Sequence, residues 1–143
     1  MTVTQAFSGF LVALVATAAA PDGAIDPTTI KGKVTIEPGK KLAVRFEQQG
    51  DQISHPKVVE KVSDSPPTIT LEFLKKDDNL ILATKNPFPK DLMFRALARH
   101  KGRKEYVETS IAPVKAGLLG LELWQEPIEE LVLFEFRLLD EKP

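Results

Sequence analysis

Cysteine is absent from the 143 residues. Its absence excludes disulfides, thiolate nucleophiles, thiolate zinc sites and a lipid on an N-terminal cysteine. It leaves the compartment open, but an exported chain of this kind folds without disulfide stapling. Histidine is scarce, with only His55 and His100. A hydrolase triad needs a nucleophile, a base and an orienting acid held together. His55 lies in a polar stretch before Pro56, and His100 lies in a basic turn. G-x-S-x-G, H-E-x-x-H, P-loop and G-x-G-x-x-G motifs are all missing. Twenty acidic residues make chance carboxylate pairs inevitable, so glycosidase chemistry gains no specific support. A copper site would have to use His55, His100 and Met93, which are widely spaced. The expectation is a non-catalytic protein with no cofactor and no metal.

Net charge is also nearly absent. The formal charge is −1 and the pI about 6.1, which gives no general reason to expect nucleic acid or an acidic membrane. The basic residues lack interleaved aromatics, which further weakens a nucleic-acid reading. With 43% hydrophobic and 27% charged residues, the composition is that of an ordinary globular protein. One domain of this length buries roughly two-thirds of its unfolded surface and folds without crosslinks.

Charged side chains are missing altogether from the first 20 residues, MTVTQAFSGFLVALVATAAA. Phe7–Ala20 is an apolar run of 14 residues, too short to span a bilayer and suited to a signal-peptide core. It ends in small residues. Pro21 follows Ala20, so Ala16-Thr17-Ala18 is the preferred A-x-A cleavage site. The usual Lys or Arg before the core is missing. The competing reading is a buried N-terminal helix or strand. The expected organisation is a signal peptide over 1–18, a linker over 19–31, a β domain over 32–139 and a tail over 140–143. The expected location is periplasmic or secreted, with no stable membrane insertion after cleavage.

What the chain does contain is period-two alternation. The central stretch is Asp78–Arg99, where Leu80-Ile81-Leu82-Ala83 and Leu92–Arg99 flank the turn chemistry Asn86-Pro87-Phe88-Pro89-Lys90-Asp91. Leu92, Phe94, Ala96 and Ala98 share one face. The clearest alternation is Thr68–Leu74, with Ile69, Leu71 and Phe73 inward. Lys41–Glu47 places Leu42, Val44 and Phe46 on one face. Shorter strands are expected at Val34–Ile36, around Val58–Val62 as a charged edge, and at Tyr106–Val114, limited by Pro113. The last strand is Leu131–Leu139, with Val132, Phe134, Phe136 and Leu138 expected inward. Gln48–Pro56 reads as a polar loop and Trp124–Glu130 as one helical turn. Ala116–Leu123 (AGLLGLEL) is ambiguous, because its glycines weaken a helix and its leucines alone do not decide. Seven to eight short strands without a long amphipathic helix predict an all-β protein. An immunoglobulin-like β-sandwich comes first and a small β-barrel second.

The candidate surface is a basic turn. Arg95, Arg99, His100, Lys101, Arg103 and Lys104 fall within ten residues. They form either a solvated hairpin tip or a contact for phosphate or carboxylate groups on a glycan, lipid headgroup or acidic protein. A third reading pairs them internally with Glu122, Glu126, Glu129, Glu130 and Glu135. Phe88 either folds back into the core or anchors a partner between its two prolines, with burial favoured. Trp124 is either a plug at one end of the sandwich or a sugar-stacking platform. These residues point to an exported, non-catalytic interaction or structural domain of the bacterial envelope, with an envelope protein or anionic glycan as partner. The alternative is a carrier of a small apolar ligand, which needs a cavity of roughly 300 Å³ or more.

Overall fold

The alternating runs form strands that pair into two antiparallel sheets in a computed structural model, which describes residues 23–140. The expected signal peptide over 1–18 and the last three residues lie outside the described residues. The four-stranded sheet has the order β1 (Val34–Ile36), β9 (Ile128–Leu139), β6 (Asp91–His100), β7 (Val107–Thr109). The five-stranded sheet has the order β3 (Gln52–Val59), β2 (Lys41–Gln49), β4 (Thr68–Lys76), β5 (Asn79–Lys85), β8 (Leu119–Trp124). The protein is therefore a β-sandwich. It is immunoglobulin-like in its two facing antiparallel layers. The strand order is its own, because the first and last described strands, β1 and β9, are neighbours, whereas an antibody constant domain orders its sheets ABED and CFG.

The strand limits depart from the sequence reading where turns and bulges intervene. Nine strands form among the described residues, because the ambiguous leucine segment is β8. Gln48–Pro56 is mostly strand rather than loop: β2 runs on to Gln49, and a two-residue turn at Gly50-Asp51 starts β3 at Gln52. Gly50 has φ +59°, a left-handed conformation that glycine adopts without a Cβ clash. Trp124–Glu130 is not helical. It holds the end of β8, a short turn and the start of β9. The strand expected over Tyr106–Val114 is registered on β6 at Val107–Thr109 and touches it again where Val114 bridges Leu92. Between those points the chain bows, and the Ala112 N–H donates to the Glu122 carboxylate of β8 at 2.7 Å.

Inner-face side chains from both sheets fill the space between them. Val44, Ile69, Leu71, Phe73 and Leu82 of the larger sheet join Leu92, Phe94, Leu131 and Leu133 of the smaller one in a single core. Phe46 and Phe136 link the layers, their ring centres 5.2 Å apart. Leu92, Phe94, Ala96 and Ala98 share the inner face as the alternation predicted.

The parity expected for β9 fails in its first half. Val132 and Phe134 point away from the main core, and only Phe136 and Leu138 join it. The cause is a bulge: Arg95 pairs with Phe134 and Met93 with Arg137, so Glu135 and Phe136 together oppose Phe94. Glu135 takes φ +53°, and the extra residue switches the strand's faces. Leu97, Val132 and Phe134 therefore form a second buried cluster on the outer side of the four-stranded sheet. Ile25, Ile30 and Tyr106 cover it.

That cover accounts for most of the described part, 23–31, of the stretch expected as a linker. Ala24 bridges Val107, and the Ile25 N–H donates to the Tyr106 carbonyl at 2.9 Å. Asp26 caps a 3-10 turn over Pro27–Thr29 by accepting from the Thr28 N–H at 3.0 Å. Residues 24–30 are thus a strap across the smaller sheet. The apolar Ile25 and Ile30 are what fasten it.

Candidate interaction surface

The predicted basic turn divides into a paired half and an unpaired half. Arg95 lies on the outer face of β6, between β7 and β9. Its Nε and Nη2 donate to the two oxygens of Glu108 at 2.8 and 2.7 Å, and its Nη1 to Glu135 at 2.9 Å. Its guanidinium also covers the Phe134 ring, 4.9 Å from the centroid. The hydrogen bonds it donates to Glu108 hold Arg95 charged even more firmly than usual. In return, Arg95 pulls the Glu108 carboxyl below its ordinary range. Arg99 donates to Glu129 at 2.6 Å and lies over Tyr106. The Tyr106 hydroxyl donates to Glu130, which is the main reason that it resists ionisation. His100 sits 3.7 Å from Glu126. Internal pairing therefore holds for Arg95, Arg99 and His100, and Arg95 and Arg99 are corrected as candidate free contacts. Lys101, Arg103 and Lys104 are exposed and form no ion pair among the described residues.

Phe88 is withdrawn as a surface anchor. It is 2% exposed, with its ring 6.2 Å from that of Phe46, so it closes the end of the core. Asn86, which the sequence offered only as turn chemistry, holds it there. Buried Asn86 accepts from the Phe88 N–H at 2.9 Å. Its Nδ2 donates to the carbonyls of Lys90 at 2.9 Å, Val114 at 3.0 Å and Lys115 at 3.3 Å. Its own N–H donates to the Leu118 carbonyl at 3.0 Å. One satisfied polar side chain thus fixes both the proline loop and the chain that leads into β8. Trp124 is half-buried. It packs edge-on to Phe73, with centroids 6.0 Å apart, and donates to Thr109 Oγ1 at 2.9 Å. It plugs one side of the sandwich and is not a free platform.

The surface that sequence reasoning missed is the outer face of the five-stranded sheet. Because Leu42, Val44 and Phe46 point inward, Lys41 and Arg45 point outward, and Lys57 lies opposite Arg45. By the same register, Glu72, Leu74 and Lys76 of β4 and Ile81, Ala83 and Lys85 of β5 face outward. Lys41, Arg45, Lys57, Lys76 and Lys85 have no ion-pair partner among the described residues, and the carboxylates in these rows are Glu72 and Glu47, the latter beside His55. At one end of this face, β8 adds Leu119, Leu121 and Leu123, which are 59%, 64% and 55% exposed. Ile81 lies opposite Leu123 and Leu74 opposite Ile81, so the apolar row is three strands deep. The signal was the L-x-L-x-L spacing of 119–123. Two glycines obscured it, and one of them is required by packing: a Cβ on Gly120 would sit 2.8 Å from Val114 Cγ2.

His55 lies on a bulge in β3, at φ +52°, with its Nδ1 3.4 Å from the Glu47 carboxylate and open to solvent. No group of three or more His, Asp or Glu side chains suited to a metal occurs among the described residues. Among the same residues no helix is long and apolar enough to cross a membrane. Two concavities lie at the rim. One of about 600 Å³ is bounded by Pro89, Asp91, Pro113 and Leu139. Another of about 410 Å³ lies between Lys75, Leu80, Lys101 and Ile128. Compared with protein-family models, curated proteins and solved structures, the chain matches none.

Proposed function

We propose that this protein is a non-catalytic, exported interaction domain of the bacterial envelope that docks an anionic partner on its five-stranded sheet. The observation that carries the reading is the uncompensated charge of that face. Five cations stand there against Glu72 and Glu47, while Arg95 and Arg99 of the opposite face are held by carboxylates. Charges left without intramolecular partners favour ligands of opposite sign and speed their encounter. The recognised chemistry is phosphate or carboxylate, carried by a glycan or an acidic protein. The apolar run over 7–20 supports the export half of the reading. The carrier alternative gains nothing from the space between the sheets, which Phe46, Phe73, Phe94 and Phe136 occupy.

The test uses retention on heparin at low salt. Exchanging Lys41, Arg45 and Lys57 together for Gln should leave the unfolding midpoint nearly unchanged and release the protein at markedly lower salt, because exposed charge contacts are screened within about 10 Å at 0.1 M. Exchanging Lys101, Arg103 and Lys104 for Gln should have the smaller effect. If neither set changes retention, the proposal fails.

A further inference from the structure

A sandwich has four open edges, and three of these are blocked. β1 is three residues long. β7 is also three residues long, and Ala24 and Ile25 close its outer side. β3 is interrupted by the His55-Pro56 bulge, where Pro56 has no N–H to offer, and it carries the exposed Lys57. Short length, cover, bulges, proline and charge are the devices that keep edges from pairing with other chains. β8 has only one of them, the inward-pointing charge of Glu122, and that carboxylate is engaged within the chain by the Ala112 N–H. Its six residues pair with β5 in unbroken register, from Leu80–Trp124 to Lys85–Leu119, and no strand lies on its other side among the described residues. It has no proline, no bulge and no charge on its outward face.

We infer that β8 is the dimer interface of this protein, pairing antiparallel with β8 of a second copy to join two five-stranded sheets into one of ten strands. The occupant is argued from the strand's own pattern. A two-fold axis through Leu121 sets Leu121 against itself, Leu119 against Leu123, and Glu122 against Gly120. Every outward leucine then meets a leucine, at the roughly 4.5–5.5 Å Cβ spacing of directly opposed residues. On the inner face each carboxylate meets a residue with no side chain. Moving the axis to Glu122 would set two like charges face to face, and moving it to Gly120 would leave Leu123 outside the pairing. The sequence Leu-Gly-Leu-Glu-Leu therefore matches itself in one register, which an isologous interface requires.

Charge does not oppose this pairing. Lys41 and Arg45 stand on β2, three strands in from the edge. The two β2 strands of the dimer would lie seven strand spacings apart, about 34 Å, well beyond the Debye length of about 8 Å at physiological salt. The interface is small, so association should be reversible and concentration-dependent. The inference does not depend on the anionic ligand. It does imply that both cationic faces share one continuous sheet.

The absence of cysteine makes a direct test clean. Leu121→Cys creates a single thiol that meets its own copy at the axis, within the Cα separation a disulfide spans, about 4.4–6.8 Å. Mild oxidation should give a covalent dimer rapidly, whereas Lys57→Cys on the opposite edge should not. By sedimentation, the wild type should move from monomer to dimer as concentration rises from low micromolar to several hundred micromolar. Leu121→Asp, which opposes two carboxylates at the axis, should stay monomeric with an unchanged unfolding midpoint. A wild type that is monomeric throughout overturns the inference, including where it instead binds anionic vesicles through the leucine row. A dimer that persists in Leu121→Asp, without selective crosslinking of Leu121→Cys, also overturns it. The heparin test uses variants that leave β8 untouched, so the two proposals fail separately.

Discussion

The outer faces of the two sheets solve the same problem in opposite ways. Each sheet must do something with the side of its strands that points away from the shared core. On the four-stranded sheet, the bulge at Glu135 turns Val132 and Phe134 outward, and the strap over residues 24–30 covers them. Two of the cations there are matched, Arg95 by Glu108 and Glu135, and Arg99 by Glu129, while Arg137 has no ion-pair partner among the described residues. On the five-stranded sheet nothing comparable among the described residues lies over the leucines of β8, and the lysines named above and Arg45 have no ion-pair partner among the same residues. Matched charge and covered apolar area stabilise a fold from within. Unmatched charge beside bare apolar area leaves those interactions available to another molecule.

The largest difference between the faces should appear on truncation. Phe134 is 3% exposed and packs with Leu97 and Val132. Phe134→Ala should cost about 3–5 kcal/mol, as a buried phenylalanine does. Leu121→Ala should change stability by no more than about 0.5 kcal/mol. Chemical denaturation of the two variants, at concentrations low enough to keep the chain monomeric, measures both. Equal losses would erase the distinction between a covered and an open face.

An intermediate effect should follow from Asn86→Ala. The change removes one accepted and up to three donated hydrogen bonds, which strands the Phe88 N–H and the Lys90 carbonyl, while the Val114 and Lys115 carbonyls keep the N–H groups of Leu92 and Leu118. At about 1 kcal/mol or more for each stranded group, the loss should be about 2–4 kcal/mol. The position of that loss sharpens the comparison. Amide exchange should quicken in β8, whose entry Asn86 holds, and in the Phe88 loop. It should change little at Leu97 and Val132 under the strap.

Which of these features could be read from the residues depended on whether a local rule or a distant partner set them. Strict alternation needs no partner to be seen, so Thr68–Leu74 and Leu92–Ala98 were legible, as was the all-β layering they imply. The fold-back of Phe88 was legible as the favoured of two options, because apolar residues at loop ends usually complete a core, although the rigid proline loop alone also fitted a surface anchor. A bulge depends on the strand opposite, so nothing in Phe134-Glu135-Phe136 announced that the faces switch there. The strap over 24–30 reads as a linker because its turn residues are local signals and its anchors are single isoleucines. For the basic turn, internal pairing was legible as one option, and Glu126, Glu129 and Glu135 were among the carboxylates named. Glu108, the strongest partner of Arg95, was not, since only the β6–β7 register brings it there. β8 was hidden by Gly120, which is present for a contact with Val114 and not for flexibility.

The smallest predicted effect separates the faces by pH. The Glu108 carboxyl lies below its ordinary range, chiefly through its hydrogen bonds to Arg95, with burial opposing and the positive charge of Arg95 adding. A group whose pKa is depressed on folding contributes stability that is present above its unfolded value, near 4.3 for a glutamate, and is lost as pH falls through the folded value. Unfolding midpoints of the wild type and Glu108→Gln should therefore differ by a constant amount above about pH 5. They should converge as the pH drops below about 4 and coincide once Glu108 is protonated in the wild type. Arg45→Gln on the other sheet provides the contrast. Arg45 lies opposite Thr68 and Lys57 and has no carboxylate within ion-pair reach among the described residues, so its variant should show no such acid-dependent convergence. If Arg45→Gln converges with the wild type as Glu108→Gln does, that face holds a carboxylate partner for Arg45 and is not the uncompensated surface that the anionic partner requires.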